Sequence, residues 1–429
     1  MSISIKDQEI LKNCFKFTNN FIILTTGRAG SDFLQSCFDN HEEVASTSEK
    51  STNLSLFIKQ YINLLPNSKE VFCALSIKEL LFSFAPYINY LEKWDIYKAE
   101  DYRKGNVQRY LNAMNFLLNI NENDNSYLSI TRIIIISFSY AINKNIKKIK
   151  TILIHLHHIN KLTFYKDDLS SDDLIVLCNR NPFDLLASGV FHWKKYWFYT
   201  QQYSNCINLA KYRYVMSRSL DDYKDINKFL NHSKSFCFTS ILEKLENLDY
   251  LNRINKYLKI EHFKEYPQST VLGQKWVGDR LSAQEKTKFF GSYNSSFVKR
   301  GNPIKRLGLI DATMMSIICK ERIDFYEFNP NNKYLATLLS KNYFIRATIF
   351  SLLLLFPTKI EIEYFLNIHK SFFDIITCDK LCRKEKIKQL RNSIIYVIIY
   401  PIEYIRIRFF RISSFVDHVQ SPKFISELD

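Results

Sequence analysis

Glycine is scarce in this chain, which has only nine glycines among its 429 residues. Glycine lacks a Cβ atom and therefore serves where the backbone bends sharply or approaches a ligand closely. Two of these few glycines, Gly27 and Gly30, nevertheless stand within one short stretch. Their pairing predicts a tight turn at this point, built for a sharp bend or for a ligand.

Cysteine is also sparse, and its positions form no pattern. The nine cysteines are odd in number and scattered, and Cys37 and Cys178 lie within apolar runs. This distribution excludes a disulfide framework and offers no zinc-finger spacing. We therefore expect buried thiols in a reduced, cytoplasmic protein.

Long apolar segments are missing as well. The apolar runs beyond residue 310 extend for about 10 residues, whereas a helix that spans a bilayer needs roughly 20. The run ITRIIIISFSY at 130–140 is too short and too interrupted to cross a membrane, so we interpret it as a core element. The opening MSISIKDQEILKN lacks the pattern of a signal peptide, and we interpret residues 1–20 as a polar lead-in.

The charge balance is strongly positive, with a formal net charge of +16. A hydrophobic share of 46% with 24% charged residues is typical of a globular protein. The excess of cations favours an anionic partner, such as a polyphosphorylated nucleotide, another polyanion or a membrane surface. Nucleic acid is not favoured, because no zinc-finger or RNA-recognition motif is present.

The two neighbouring glycines fall in a segment with the pattern of a strand, a loop and a helix. Residues 21–24 (FIIL) have the composition of a buried parallel strand, and 33–38 carry apolar side chains at helical spacing. Between them lies the turn 25–30, and Ser31 is predicted to cap the helix. Such a turn directs N–H groups and the positive end of a helix dipole at one point, which suits a phosphate. The Gly-Lys-Ser/Thr ending of a Walker A loop is absent, which weakens the case for ordinary ATP or GTP binding.

A second segment repeats the pattern of a strand followed by a polar residue. Residues 174–178 (LIVLC) predict another buried strand, and Arg180 follows at its carboxyl end. Pro182 suits the first turn of a helix, because that position needs no N–H donor. Ser188 comes about two helical turns after Arg180.

Together, the two segments resemble the nucleotide-binding elements of the sulfotransferase family, whose donor is 3′-phosphoadenosine 5′-phosphosulfate. The resemblance rests on Gly27-Arg28-Ala29-Gly30-Ser31 and on Arg180-Asn181-Pro182-Phe183-Asp184 with the later Ser188. It covers roughly residues 20–280. It implies that the 5′-phosphosulfate is held by Gly27, Arg28, Ala29, Gly30 and Ser31, and that the 3′-phosphate is held by Arg180 and Ser188.

Two positions depart from the family pattern. Ala29 stands where a hydroxyl is common, and Asp32 stands where threonine is common. An acidic side chain beside a phosphate is unfavourable unless it points away.

The expected fold class is α/β: a central parallel sheet flanked by helices, with a helical C-terminal region. The resemblance implies a P-loop-like sulfotransferase fold. Apolar residues at helical spacing predict helices at 54–65, 78–94 and 107–120, and 236–260 has the pattern of a strand followed by a helix. We divide the chain into a catalytic domain, 1–305, and a helical, basic region, 306–429.

Three histidines crowd the end of a predicted strand at 151–154: His155, His157 and His158. Zinc is not expected there, since no cysteine or acidic residue stands nearby in the sequence at ligand spacing. Solvated or hydrogen-bonded histidines are one interpretation. A general base is the other, because histidine titrates near neutrality. The sulfotransferase resemblance, in which a strand ending in Thr-His-Leu precedes the 3′-phosphate strand, favours His155 as this base and His158 as the second choice.

Three further segments allow either a ligand contact or a structural role. The aromatic and cationic stretch 191–203 suits a wall that stacks a sugar or a base, or else a packed amphipathic helix. In 270–280, Trp276 is a candidate for stacking on the nucleotide from a closing loop, or it belongs to an ordinary surface loop. The basic loop predicted at 299–306 has two interpretations. It contacts the 3′-phosphate, or its charged side chains are simply exposed to solvent.

The C-terminal region also has two interpretations. The basic run at 380–391 beside the apolar stretch 394–402 resembles a peripheral membrane binder. The alternative is a helical tail packed on the catalytic domain. The expected location is the cytoplasm, at the inner face of the membrane if the basic tail binds lipid.

The resemblance implies one function, with two rivals. It implies transfer of a sulfuryl group to a hydroxyl of an acceptor, a carbohydrate or glycolipid, with Arg28 neutralising charge on the transferred group and no metal required. A nucleotide-dependent kinase with a degenerate phosphate loop is the first alternative, and Asp32 is its nearby candidate for binding Mg²⁺. A non-catalytic, membrane-associated protein on the same scaffold is the second.

Overall fold

The computed structural model describes residues 3–25, 29–47, 51–65, 67–76, 107–122, 124–157, 159–188, 235–271, 274–275, 303–328 and 343–353, and the single positions 356, 383, 387, 391 and 426. The chain forms two compact units. The first comprises Met1–Asn179, Lys228–Ser295 and Ile425–Asp429, and the second comprises Arg180–Asn227 and Ser296–Phe424. Both units are discontinuous in sequence, and the division at residue 305 expected from the sequence stays a prediction.

Five described strands of the first unit form one parallel sheet. Their bounds are Asn19–Thr25 (β1), Val44–Ala45 (β2), Thr151–Leu156 (β3), Leu174–Asn179 (β4) and Phe236–Ile241 (β5). They follow the order β2-β3-β1-β4-β5, and every pairing is parallel. Thr270–Val271 (β6) and Gln274–Lys275 (β7) form a separate antiparallel pair. The α/β class with a central parallel sheet is thereby confirmed.

Helices surround this sheet and make up the described part of the second unit. The helices of the first unit are Ile5–Phe17 (α1), Ser31–Asp39 (α2), Ser51–Tyr61 (α3), Val107–Ile120 (α4), Tyr127–Ala141 (α5) and Leu248–Leu258 (α6). Those of the second unit include Pro303–Leu307 (α7), Leu309–Ile318 (α8), Lys320–Phe325 (α9) and Tyr343–Leu353 (α10). Short 3-10 helices lie at Ile62–Leu64, Ile146–Lys148, Ile159–Phe164 and Leu242–Lys244. The helix predicted at 107–120 is confirmed, and the one predicted at 54–65 is confirmed as α3 and the 3-10 turn after it.

Alternate residues of β1 point to opposite faces of the sheet, and helices cover both faces. On one face, Phe21 packs edge-on against Phe38 of α2, with ring centroids 5.2 Å apart. On the other face, Asn20 accepts a hydrogen bond from Arg132 of α5. The central strand is thus enclosed by helices on both sides, as its unbroken apolar run predicts.

The apolar run at 130–140 is a core element, as expected, and it lies within α5. Ser126 caps this helix by accepting a hydrogen bond from the backbone N–H of Ser129. Nearly every residue of α5 is buried. Within the described part of the chain, no helix has the length and apolar character that crossing a bilayer requires.

β1 lies where the chain changes direction across the sheet. β3 and β4 flank it, so these two strands are not neighbours. The chain proceeds from β1 to β2 on one side, whereas β5 lies on the other side, beyond β4. In open parallel sheets, ligands bind at the carboxyl ends of the strands at such a point. The turn that follows β1 therefore occupies the position at which this architecture binds ligands.

Three local predictions are wrong. Residues 1–20 are not a polar lead-in, because α1 begins after the N-cap Ser4 and buries Leu11 and Cys14; its few apolar residues concealed an amphipathic helix. Ser31 is the first residue of α2 and Gly30 is the N-cap. The segment 299–306 is not a loop throughout, because α7 begins at Pro303, a residue whose fixed φ suits a first helical turn.

Candidate functional site

The turn between β1 and α2 is described from Ala29 onward. Gly30 has φ 87° and ψ 13°, in the left-handed region, and it caps α2. A Cβ atom at this position would lie 2.4 Å from Cδ1 of Leu242. Both the backbone conformation and the close neighbour therefore favour glycine, which is the local reason for one of the chain's few glycines.

The start of α2 is enclosed by protein. Ala29 and Ser31, on either side of Gly30, are both buried. The backbone N–H of Leu34 donates to the carbonyl of Gly30 at 2.9 Å, which is the first turn of hydrogen bonding in α2. The N–H groups of the residues before Leu34 have no acceptor inside the helix itself, so this end of α2 has the donors that an anion needs.

α2 and the end of β3 bring together Asp32, His155 and His157. Oδ1 of Asp32 lies 3.1 Å from Nε2 of His157 and 3.8 Å from Nδ1 of His155. The two imidazole rings lie 4.8 Å apart between centroids, at an angle of 51°. Each of the three residues has one potential ligand atom, and these three atoms all lie within 4.8 Å of one another. Among the described residues, this cluster is the one whose side chains could hold a metal ion.

Gln35, one turn after Asp32 on α2, fixes the tautomer of His155. Its Nε2 donates to the carbonyl of Thr47 at 2.7 Å. Its Oε1 therefore faces Nδ1 of His155, at 2.6 Å. Because an amide oxygen only accepts, Nδ1 of His155 carries the proton and Nε2 carries the lone pair in the neutral ring.

Burial differs within the cluster. The side chain of His155 is fully enclosed, whereas that of His157 is 21% exposed and that of Asp32 is 27% exposed. Burial and the charge of Asp32 both raise the pKa of the nearby Cys178 thiol, which faces Thr25 across the β1–β4 pairing. The cluster is thus open to solvent on the side of Asp32 and His157 and closed on the side of His155.

The second predicted motif belongs to the second compact unit. Arg180 directly follows β4 in the chain, and both Arg180 and Ser188 are buried. Residues 182–188 are helical, so the helix starts at Pro182 as predicted. Asn181 caps it, because its Oδ1 accepts a hydrogen bond from the backbone N–H of Phe183 at 3.0 Å. That Arg180 and Ser188 share a ligand with the turn after β1 stays a prediction.

Several predicted site residues lie outside the described residues. They are Gly27, Arg28, His158 and Trp276. The predicted aromatic wall at 191–203, the helix at 78–94, the apolar stretch 394–402 and most of the basic run at 380–391 also lie outside them. The roles assigned to these segments stay predictions.

Two residues of the cluster, Asp32 and Gln35, had no assigned role in it on sequence grounds. Asp32 and His157 are 125 positions apart, so no local spacing connects them. Asp32 and Gln35 are three residues apart, about one helical turn, so both lie on one face of α2 just after the glycine turn. This spacing was the signal that the sequence contained. The missing step was the pairing of β1 with β3, which brings His155 beneath that face.

Comparison of the chain with models of known protein families, with curated proteins and with solved structures finds no match. The functional interpretation therefore rests on the residues and the fold described above.

Proposed function

We propose that this chain is a sulfotransferase, which binds 3′-phosphoadenosine 5′-phosphosulfate and transfers its sulfuryl group to a hydroxyl of a carbohydrate or glycolipid. The observation that carries the proposal is the glycine turn at the carboxyl end of β1, the central strand of a parallel sheet. Gly30 adopts a left-handed conformation there and leads directly into α2. This is the place and the backbone geometry that a bound phosphate requires.

The acidic residue in the first turn of α2 does not conflict with an anionic ligand. Asp32 departs from the sulfotransferase pattern, and a free carboxylate at this place would repel a phosphate. Its Oδ1 instead lies 3.1 Å from Nε2 of His157, at hydrogen-bonding distance. The charge of Asp32 is therefore partnered within the protein.

The cationic residues have distinct roles in the proposed reaction. Arg28 neutralises charge that grows on the oxygens of the transferred group and of the departing phosphate. Arg180, whose guanidinium is a planar fork of donors, grips the 3′-phosphate together with Ser188. The acceptor hydroxyl gives up its proton to a base, for which His155 is the first candidate and His158 the second. Since Nδ1 of His155 donates to Gln35, Nε2 is the nitrogen that would take the proton, although the side chain of His155 is fully enclosed.

The kinase alternative loses support from the surroundings of Asp32. Mg²⁺ prefers oxygen ligands and keeps several waters, whereas the neighbours of Asp32 are imidazoles. A kinase of this kind would need its magnesium carboxylate next to the loop. Asp32 is the candidate that the sequence offers, and its partners among the described residues are the two histidines.

Transfer of a radiolabelled sulfuryl group tests the proposal. The full-length chain is incubated with labelled donor and with oligosaccharide or glycolipid acceptors, and both the labelled acceptor and adenosine 3′,5′-bisphosphate are quantified. We expect the two products in equal amounts, and an Arg28→Ala variant should lose turnover more than donor binding. Donor that stays intact with every acceptor would refute the proposal. Turnover that Arg28→Ala leaves unchanged would refute the role assigned to Arg28.

A further inference from the structure

We propose that Asp32, His155 and His157 form a binding site for one divalent transition-metal ion of the zinc class. The proposal goes beyond the sulfotransferase function and does not depend on it, because the ligands come from the carboxyl end of β3 and from α2 alone. A metal was not expected here from the sequence, because the acidic partner of the histidines is distant in the chain.

The donor set matches the chemistry of such ions. Imidazole nitrogens and a carboxylate oxygen suit zinc, cobalt, nickel and iron, whereas magnesium and calcium prefer oxygen. Zinc binds these atoms at about 2.0–2.2 Å, so two ligand atoms of a tetrahedral site lie roughly 3.3 Å apart. The carboxylate oxygen of Asp32 lies 3.1 Å from one imidazole nitrogen and 3.8 Å from the other. All three ligand atoms lie within 4.8 Å of one another, so side-chain rotation would have to bring them closer to enclose an ion.

Gln35 holds the ring of His155 in the metal-free protein. Its oxygen lies 2.6 Å from Nδ1 of His155 and holds the ring in place while that nitrogen carries a proton. A bound ion takes the place of this proton, because a ligating imidazole nitrogen must be deprotonated. Metal binding at Nδ1 therefore breaks the hydrogen bond between His155 and Gln35, whose amide is anchored on the carbonyl of Thr47.

Part of the cluster is exposed to solvent, as expected for a metal site with an open coordination position. Three protein ligands leave one position of a tetrahedral ion for water or for a substrate oxygen. The exposed fractions of Asp32 and His157, 27% and 21%, provide the side from which such a group enters. The ligands lie on a helix and at the end of a strand, which keeps their spacing defined.

Metal binding and general-base catalysis exclude each other at these nitrogens. A metal ion on Nδ1 of His155 puts the ring proton on Nε2, so neither nitrogen has a lone pair left for a substrate proton. If the histidines act as bases, zinc does not bind tightly and their substitution lowers turnover alone.

The test is metal binding by the full-length chain after treatment with a chelator. Zinc is titrated by calorimetry, cobalt is followed through its visible absorption, and magnesium serves as the oxygen-preferring control. Asp32→Asn and His157→Asn each remove one ligand at partly exposed positions, and circular dichroism checks that both variants fold. Asp172→Asn and His262→Asn are matched controls at exposed positions.

We expect one zinc ion per chain and an affinity loss of roughly 100-fold or more in either ligand variant, more than the loss caused by removing an outer supporting group. The two controls should bind like the unchanged chain. Zinc binding that is absent, or that Asp32→Asn and His157→Asn leave unaltered, would overturn the proposal. Binding of adenosine 3′,5′-bisphosphate, measured separately, reports on the sulfotransferase function and not on this site.

Discussion

Gly30 is constrained twice, by its left-handed backbone and by the side chain of Leu242. For a residue with a Cβ atom, the left-handed conformation costs about 1–2 kcal/mol. We therefore expect Gly30→Ala to lower the free energy of unfolding by this amount, measured by urea denaturation. The contact with Leu242 should add little, because the atom that a Cβ meets is the end of a flexible side chain.

A double-mutant cycle separates the two effects. If backbone strain dominates, Gly30→Ala costs nearly the same in a Leu242→Ala background as in the unchanged chain. An unfolding free energy that Gly30→Ala does not alter would mean that the turn is not strained in the way described.

Arg180 should act specifically on the 3′-phosphate of the nucleotide. We expect Arg180→Ala to weaken binding of adenosine 3′,5′-bisphosphate by roughly 1.5–3 kcal/mol, the scale of a charge-assisted hydrogen bond. A nucleotide without the 3′-phosphate should bind about equally to both forms. Calorimetric titration of both nucleotides measures this difference, and Arg253→Ala on the exposed side of α6 is the control. Equal losses for the two nucleotides would exclude the assigned role.

At this scale, the sequence identified residues better than it identified their partners. Gly30 stood out because glycine is rare, and His155 stood out because three histidines cluster. Ser31 was a reasonable cap, but the left-handed turn made Gly30 the cap instead. Asp32 could not be linked to the histidines, because their proximity follows from strand pairing and not from spacing along the chain.

Among the elements, β1 and β4 are joined at their starting ends by Asp173. Its Oδ1 accepts hydrogen bonds from the backbone and side-chain N–H groups of Asn20, at 2.7 and 2.8 Å. Its Oδ2 accepts from the backbone N–H and the hydroxyl of Ser170, at 2.8 and 3.1 Å. The carboxylate thus satisfies four donors at the edge of the sheet opposite to the candidate site.

Asp173→Asn should destabilise the fold by about 1–3 kcal/mol, because an amide places its NH₂ group against donors that need an acceptor. The adjacent Asp172→Asn is a close control, since Asp172 is exposed and its ion pair with Lys259 is exposed too. Urea denaturation of both variants measures the difference. Equal stability of the two variants would show that the four hydrogen bonds contribute little.

Glu43 connects the starts of β2 and β3. Its carbonyl accepts from the backbone N–H groups of Lys150 and Thr151, at 2.9 and 3.1 Å. Its carboxylate pairs with Lys150 and accepts from the backbone N–H of Glu261 at 2.6 Å. Burial opposes ionisation of Glu43, but Lys150 and Glu261 outweigh burial, so the pKa of Glu43 lies below its usual value of 4.5.

This lowered pKa predicts a definite pH dependence. The folded state binds fewer protons at Glu43 than the unfolded state does, so the carboxylate stabilises the fold above pH 4.5. The contribution is lost as the pH falls through the folded-state pKa. Glu43→Gln should therefore lower the unfolding free energy at pH 7 by roughly 1–2 kcal/mol and by less at pH 3. A difference that is constant with pH would contradict the pKa shift.

Elements with a clear apolar pattern were predictable from the sequence. The strands at 21–24, 151–154 and 174–178 and the helix at 107–120 form as predicted, each slightly extended or unchanged. α1 was missed because its apolar residues are few and its partners, α4 and α5, come much later in the chain.

For the whole molecule, the sequence predicted the fold class but not the order of the strands. Buried apolar strands that alternate with amphipathic helices predict a parallel sheet, whichever strands are neighbours. The central position of β1 between β3 and β4 depends on long-range packing, and it decides which side chains meet at the carboxyl edge. That position brings His155 of β3, and His157 just after the strand, to the helix that follows the glycine turn.

The central claim is that the turn after β1 belongs to a site for a 3′-phosphorylated nucleotide. The most direct measurement is calorimetric titration of the full-length chain with adenosine 3′,5′-bisphosphate and, in parallel, with ATP and Mg²⁺. A sulfotransferase should bind the bisphosphate with one site per chain and bind ATP with Mg²⁺ far more weakly. Preference for ATP with Mg²⁺, or no binding of either nucleotide, would contradict the claim.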